Sequence, residues 1–249
     1  MADYEKVADE TTIWRYMRLG PFLEMLVQGA LFQTRVDAFA DGSEGAYGYA
    51  SVKLDPSVVQ VLNVSPRRFY DSNGVQHFIP AKNAELIREA RRHAVVTCWF
   101  KHPGYESYAM WRIYGSDDYA VAIATTVGAL RDALQRRGEV RVGEVAYEPL
   151  PSVIPDIFTL FFHKRHEYKS EQEIRSIQVS LNPVPEPYQM QSLDPLQLDA
   201  LLNKIVVAPR MRQTMYDTVL QSIQSRFTAL GLTFDPGRMQ RSSLEQDLL

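Results

Sequence analysis

Two glutamates and an arginine that alternate along one short segment are the first candidates for chemistry. In a strand, side chains repeat every two residues, so Glu171, Glu173 and Arg175 would share one face. A carboxylate pair beside a cation can stabilise positive charge that develops on a sugar ring. If the face points to solvent, the same groups form a weak surface ion pair. Ile174 and Ile177 do not follow one alternation, so the sequence leaves the face open.

An arginine between two large aromatic residues is the second candidate. Arg15 stands between Trp14 and Tyr16 in a segment typical of a strand. Its guanidinium either points to solvent while the rings face the core, or lies in a pocket and meets an anion. The planar fork of arginine matches a phosphate or carboxylate in a bidentate way. Arg35 ends the next predicted strand, at a sheet rim where polar groups often form sites.

Aromatic residues are dense in a predicted helix over residues 106–114. Tyr108, Trp111 and Tyr114 are spaced to line one flank of it. Such rings can stack on a planar ring such as a nucleobase or nicotinamide, although an aromatic stripe is also typical of a core. Glu106 and Ser107 stand in the first turn of this helix.

A second chemistry is open to the acidic residues. Oxygen ligands for a divalent metal could come from Asp37, Asp41, Glu44, Glu106, Glu171 and Glu173. The cations that could then hold nucleic-acid phosphates are Lys164, Arg165 and Lys169. This metal-dependent nuclease is disfavoured because the residue after Glu173-Ile174 is arginine, where restriction-type nucleases need lysine. The sequence gives no firm metal site, and a non-catalytic sensor of a nucleotide-like ligand is a third possibility.

The elements that would position these residues mix strands and helices without strict alternation. Strands are predicted at 11–18, 31–35, 95–100, 120–125, 139–147, 171–181 and 204–208, and helices at 22–28, 82–93, 106–114, 127–137, 154–164 and 210–230. This order favours an α+β fold, with a mixed or antiparallel central sheet flanked by helices. We expect a single domain over 11–235, a flexible start over 1–10 and a polar tail over 236–249.

Composition restricts the class of protein. The chain has 249 residues, is 45% hydrophobic and carries a formal charge of −3, which argues against a broad electrostatic grip on nucleic acid. Its single cysteine, Cys98, excludes an intrachain disulfide and favours a reducing, cytoplasmic setting. No apolar run approaches the roughly 18 residues of a membrane span. The oligomeric state is left open.

An ordered set of motifs resembles a widespread prokaryotic family known mainly as a domain of unknown function. The motifs are Trp14-Arg15-Tyr16-Met17, Cys98-Trp99, Glu106-Ser107, Met110-Trp111 and the series Lys164, Arg165, Glu171, Glu173, Arg175. The resemblance implies a place among proteins met beside phage-defence and toxin genes, but the family supplies no activity.

The early arginine, the aromatic element and the late Glu-x-Glu also resemble the ADP-ribosyltransferase fold. That resemblance implies a split sheet, NAD as substrate, and a protein or nucleic-acid acceptor. It implies that Arg15 anchors the NAD phosphates or ribose. Glu173 would be the catalytic carboxylate and Glu171 the one that helps the acceptor.

The middle of the chain matches that fold only loosely. Tyr108, Trp111 and Tyr114 are interchangeable candidates for the ring that stacks on nicotinamide, and Ser107 stands where the fold has a Ser-Thr-Ser motif. We expect any binding cleft to draw on the groups that are hardest to explain as core or plain surface. These are Arg15, Arg35, Glu106, Trp111 and Glu173.

Overall fold

Thirteen strands and seven α-helices are found in the part of the chain that the computed structural model describes, residues 6–39, 53–54, 67–70, 76–79, 83–115, 119–134, 140–149, 153–154 and 156–244. The strands are β1 Thr12–Arg18, β2 Ala30–Arg35, β3 Lys53–Leu54, β4 Arg67–Tyr70, β5 Gln76–Ile79, β6 Ala94–Lys101, β7 Ala120–Thr126, β8 Val140–Glu144, β9 Val153–Ile154, β10 Glu173–Val179, β11 Tyr188–Ser192, β12 Lys204–Val207 and β13 Met239–Arg241. The helices are α1 Leu19–Gln28, α2 Asn83–His93, α3 Tyr108–Met110, α4 Val127–Leu134, α5 Ile157–Phe161, α6 Pro195–Leu201 and α7 Gln213–Ala229.

The central sheet is split at β6. Strand β10 pairs with β6 along its whole length, from Glu173 opposite Phe100 to Val179 opposite Ala94. The other edge of β6 is shared: its first half pairs with β2 and its last residues pair with β1. The full order is β11-β2-β6-β1-β7-β12-β13, with β10 beside β6 and β8 beside β10. A gap therefore separates β1 from β2 above the middle of β6.

Helix α1 joins the two strands on either side of this gap. It buries Phe22, Met25 and Leu26 against the sheet and ends at Gly29, whose φ of 61° is left-handed and whose N–H donates to the Met25 carbonyl. A Cβ at Gly29 would lie 3.0 Å from Nη2 of Arg226, so glycine also suits the crowding there.

Three apolar clusters hold the layers together. The largest packs α1, α4, α6 and α7 against one face of the sheet. The second packs α2 and α5 around Ile177 of β10. The third joins Trp14, Tyr16 and Phe100 to Trp111 and to Leu244 near the end of the chain. Among the described helices, none combines the length and apolar character needed to cross a membrane.

The predicted α+β fold with a mostly antiparallel central sheet is confirmed. Residues 154–164 form a shorter helix than predicted. The Asp156 carboxylate accepts from the Thr159 N–H and starts α5 at Ile157, and His163 already bridges to Ala146. Within residues 106–114, α3 is followed by a π-helical turn over Trp111–Gly115.

Strands also form in segments where no strand was predicted. Residues 183–196 carry four prolines, a composition typical of a surface connection, but include β11, which pairs with β2. Residues 236–249, expected to be a polar tail, include β13, which runs parallel to β12 and buries Met239 opposite Ile205. Both strands are short, so their partners rather than a local pattern determine them. Residues 37–48 contain three glycines and three carboxylates, a composition typical of a loop, but this segment lies outside the described residues from residue 40 onward, and Asp41 and Glu44 with it.

Candidate functional site

A cavity of about 410 Å³ opens at the split in the sheet. Its lining includes Arg15 from β1, Cys98 from β6, Tyr114 from the π-helical turn, and both Glu171 and Glu173. The volume falls within the roughly 300–1,000 Å³ of pockets that bind small molecules. The structure therefore brings the early arginine and the late carboxylate pair to one cavity.

Arg15 reaches across the gap between β1 and β2. Its Nη2 donates to the Phe32 carbonyl of β2 at 3.1 Å, and its guanidinium carbon lies 5.8 Å from the centre of the Trp99 ring. Burial lowers the pKa of Arg15. Within the described ranges, no carboxylate lies at ion-pair distance from it. A guanidinium has five N–H donors, so this one retains the capacity to hold an anion in the cavity.

Glu173 is held from several sides. Arg175 donates from Nε to Oε1 at 2.8 Å and from Nη2 to Oε2 at 3.0 Å. Lys164 Nζ lies 3.5 Å from Oε2, and the Cys98 thiol also hydrogen-bonds this carboxylate. Burial alone would raise the pKa of Glu173, but these cations and hydrogen bonds outweigh burial and lower it. The carboxylate is therefore ionised and fixed in orientation.

Glu171 is held less tightly and is linked to Glu173 by a lysine. Lys164 Nζ lies 2.8 Å from Oε2 of Glu171, and the Tyr114 hydroxyl donates to the same oxygen at 3.4 Å. Lys164 also lies over the Tyr168 ring, 4.5 Å from its centre. One ammonium thus holds the two carboxylates side by side, and a second contact joins Glu171 to the aromatic wall.

The residue between the two glutamates adopts a left-handed backbone. Gln172 has φ 39° and ψ 53°, the only positive φ at a non-glycine residue in the described part of the chain. It lies between the 3₁₀ turn His166–Glu171 and β10, and the glutamates on either side of it both line the cavity. A non-glycine residue held in this region carries strain that is often found at functional sites.

The formal charges around the cavity do not sum to zero. Lys164 and Arg175 (+2) balance Glu171 and Glu173 (−2), so this cluster has a formal charge of zero. Arg15 and Arg18, which line the cavity, add +2. The cavity can therefore accept an anionic group near Arg15, and the carboxyl groups of Glu171 and Glu173 line it as well.

The three aromatic candidates have different positions. Tyr114 lines the cavity, and burial followed by the charges of Glu171, Cys98 and Glu173 raises its pKa. Trp111 is buried in the third apolar cluster and its Nε1 donates to Glu106 at 3.1 Å. Tyr108 is 64% exposed and does not line the cavity. Of the three, the structure brings Tyr114 to the carboxylates.

The remaining candidates serve local roles away from the cavity. Ser107 caps α3, where its Oγ accepts from the Met110 N–H. Arg35 pairs with Asp37 and donates to two backbone carbonyls. Arg165 donates to the hydroxyl of Tyr168, the ring that Lys164 covers. The structure does not bring Ser107, Arg35 or Arg165 to the lining of the cavity.

Glu106 and Trp111, expected in the cleft, lie behind the cavity wall. Glu106 accepts hydrogen bonds from Ser242 and Ser243 near the chain end, and from Trp111. Burial raises the pKa of Glu106, but these hydrogen bonds outweigh burial and lower it.

The carboxylates considered as metal ligands are dispersed in the described ranges. Asp37 pairs with Arg35, Glu106 bonds the chain end, and Glu171 and Glu173 share Lys164. In those same ranges, no group of three or more His, Cys, Asp or Glu side chains is arranged to hold a metal ion.

Two groups at the site were not among the predicted site residues. Cys98 lines the cavity and bonds Glu173, and the hydroxyl oxygen of Tyr147 accepts from the Glu173 N–H at 2.9 Å. Alternation along β6 offered a signal for Cys98, because it places Val96, Cys98 and Phe100 on one face. Tyr147 follows β8, and no local pattern marks it.

Comparisons with known proteins give similarity at the level of structure. No family model matches the chain and no curated protein matches it, so the family resemblance of the motifs stays a prediction. The chain is similar to DarT from Thermus sp. 2.9 in complex with NAD⁺, with 11% identity, 96% of this chain and 99% of that chain covered, and a TM-score of 0.41. The same protein in complex with ADP-ribosylated ssDNA gives 10% identity, 98% coverage of each chain and a TM-score of 0.40. At this identity and TM-score, these structures assign no activity to the chain.

Proposed function

We propose that the cavity binds NAD⁺ and that the protein transfers its ADP-ribosyl group to an acceptor or to water. The proposal rests on one observation: a cationic side chain and two carboxyl groups line the same cavity. Arg15 has a single hydrogen bond to protein among the described residues and no carboxylate partner there, and it lines the same cavity as Glu171 and Glu173. NAD⁺ has matching features, a pyrophosphate and a ribose that becomes positive as nicotinamide leaves.

The binding step uses Arg15. A guanidinium that is already placed by the Phe32 carbonyl and the Trp99 ring can donate its remaining N–H groups to pyrophosphate oxygens. Burial strengthens such contacts, because the local dielectric is lower than that of water. Tyr114, at the carboxylate side of the cavity, offers its ring to nicotinamide.

The chemical step uses the carboxylate pair. The bond between ribose C1′ and the nicotinamide nitrogen breaks, and its electron pair leaves with nicotinamide. Positive charge then spreads over C1′ and the ring oxygen, and a fixed carboxylate stabilises it. The acceptor oxygen or nitrogen bonds to C1′ and loses its proton. Glu173 is the proposed stabilising carboxylate, and Glu171 is placed to receive the acceptor proton.

The test is nicotinamide release from NAD⁺ by the purified protein, with water, protein, DNA and RNA offered as acceptors. Glu173→Gln should abolish release while thermal unfolding remains cooperative. Glu144→Gln is the matched control, because Glu144 pairs with Lys101 on the exposed edge of the sheet. Release by the Glu173 variant at the wild-type rate, or none from wild type with any acceptor, would refute the proposal.

A non-catalytic sensor of NAD⁺ or a related nucleotide is the second candidate. It is favoured by one observation: both oxygens of Glu173 already accept hydrogen bonds from Arg175. A sensor would show a rise in melting temperature with NAD⁺ but no nicotinamide release. Binding with turnover supports the transferase instead.

A further inference from the structure

The chain end contacts the wall of the cavity through Glu106. Ser242 Oγ donates to Glu106 Oε2 at 2.5 Å, while the N–H and Oγ of Ser243 donate to Oε1 at 2.7 and 2.9 Å. Trp111 Nε1 also donates to Glu106 Oε2, at 3.1 Å. Hydrogen bonds to an ionised carboxylate are stronger than those between neutral groups. Glu106 thus ties two segments that lie more than a hundred residues apart in the sequence.

Both tied segments are anchored elsewhere. On one side, β13 pairs with β12, the Ser242 N–H donates to the Val207 carbonyl, and Leu244 packs on the third apolar cluster. On the other side, Trp111 packs edge-on against Tyr16, with ring centres 4.9 Å apart. The contact therefore joins the sheet edge to the base of the wall.

The wall itself belongs to the cavity. The π-helical turn that starts at Trp111 carries Ile113 and Tyr114, and both line the cavity. Ile113 is 56% exposed, so one side of this turn has little packing of its own. Tyr114 thus has a hydroxyl contact to Glu171 on one side, and on the other it follows Trp111, which bonds Glu106.

We propose that residues 239–244 form a C-terminal latch, and that Ser242 and Ser243 act through Glu106 to position Tyr114 in the cavity. Glu106 is then a positioning residue that does not touch the substrate. The latch rests on the proposed function only for its effect on NAD⁺; its effect on the wall is independent of any activity.

The first measurement is hydrogen exchange of the amides over residues 107–115. In Ser242→Ala/Ser243→Ala, exchange should be about tenfold faster than in wild type, because the two hydroxyl hydrogen bonds to the Glu106 carboxylate are lost. Ser243→Asp should act at least as strongly, since it adds a second negative charge beside Glu106. Arg238→Ala is the matched control: Arg238 precedes the latch and contacts Asp199 and Leu202, and none of its contacts is to Glu106.

The second measurement separates positioning from general stability. With NAD⁺ as substrate, the double serine variant should raise KM about tenfold and change kcat less than about threefold, because the bonds lost position a binding surface. Adding Glu106→Gln to it should produce a smaller change than Glu106→Gln produces alone, since coupled residues are not additive.

Wild-type exchange over 107–115 in the double variant, or equal acceleration in Arg238→Ala, would overturn the latch. If wild type releases no nicotinamide, the proposed function fails, and hydrogen exchange alone decides whether the latch exists.

Discussion

The buried charges on the two sides of the cavity differ in how completely protein groups pair with them. On the β10 side, Glu173 has Arg175, Lys164 and the Cys98 thiol as partners. On the β1 side, Arg15 has one backbone carbonyl and an aromatic face. A buried charge that is fully paired fixes a geometry, whereas one that is partly paired can bind an opposite charge from outside. The difference indicates a rigid carboxylate side and a receptive cationic side.

The largest effect on the free energy of unfolding is expected for a substitution on the rigid carboxylate side. Arg175→Ala leaves Glu173 buried without its bidentate partner and should lower the free energy of unfolding by about 3–5 kcal/mol. Denaturant unfolding measures this change. Lys101→Ala, which removes an exposed pair with Glu144, should lower it by less than about 1 kcal/mol. A similar small loss for Arg175→Ala would show that the cluster is not rigid.

On the receptive cationic side, a substitution should weaken ligand binding more than it changes stability. Arg15→Ala should weaken the binding of ADP-ribose about 10- to 100-fold, because charged hydrogen bonds to the pyrophosphate are lost. The free energy of unfolding should change much less than in Arg175→Ala. Isothermal titration calorimetry measures the affinity, and Arg35→Ala is the control because its Asp37 pair lies away from the cavity. Unchanged affinity in Arg15→Ala would show that Arg15 does not bind the pyrophosphate and would contradict the comparison.

A pH series sharpens the comparison further. The folded state lowers the pKa of Glu173 and of Glu106, so each stabilises the fold above its ordinary pKa. That stability is lost as the pH falls below about 4.5 through the lowered values. In Glu106→Gln, unfolding should depend less on pH over this range. An unchanged pH dependence would mean that the Ser242 and Ser243 contacts do not hold the charged form.

The smallest effect on stability is expected for a substitution of Gln172, which lies between the two glutamates. Gln172→Gly removes the strain of the left-handed backbone and should stabilise the protein by up to about 1 kcal/mol, offset in part by the greater entropy of glycine in the unfolded chain. Thermal unfolding measures it. A clear loss of stability would mean that the Gln172 side chain, rather than its backbone, supports the turn.

Local patterns in the sequence predicted most of the elements. Alternation predicted β1 and β10, and buried apolar runs predicted β6 and β12. The predicted helices at 22–28, 82–93 and 210–230 correspond to α1, α2 and α7. The strands β11 and β13 were not predicted, because five and three residues carry too little alternation and their partners are distant in sequence.

The site was predictable in its residue types but not in its geometry. Arg15, Glu171 and Glu173 do line one cavity, yet the split that creates the cavity depends on which ends of β6 pair with β1 and β2. No local pattern encodes that register. Spacing could not distinguish Tyr114 from Trp111, since a π-helical turn sends Tyr114 to the cavity and Trp111 to the core.

Helix α1 determines how wide the split can be. Its ten residues span about 15 Å, and they join the end of β1 directly to Gly29 and β2. A helix is stiff along its axis, so α1 acts as a spacer of defined length between the strand that carries Arg15 and the strand whose carbonyl holds it. Each residue added to or removed from a helix rotates the downstream chain by about 100° around the helix axis. Insertions or deletions in α1 would therefore misalign Arg15 and Phe32, although α1 itself lies outside the carboxylate cluster.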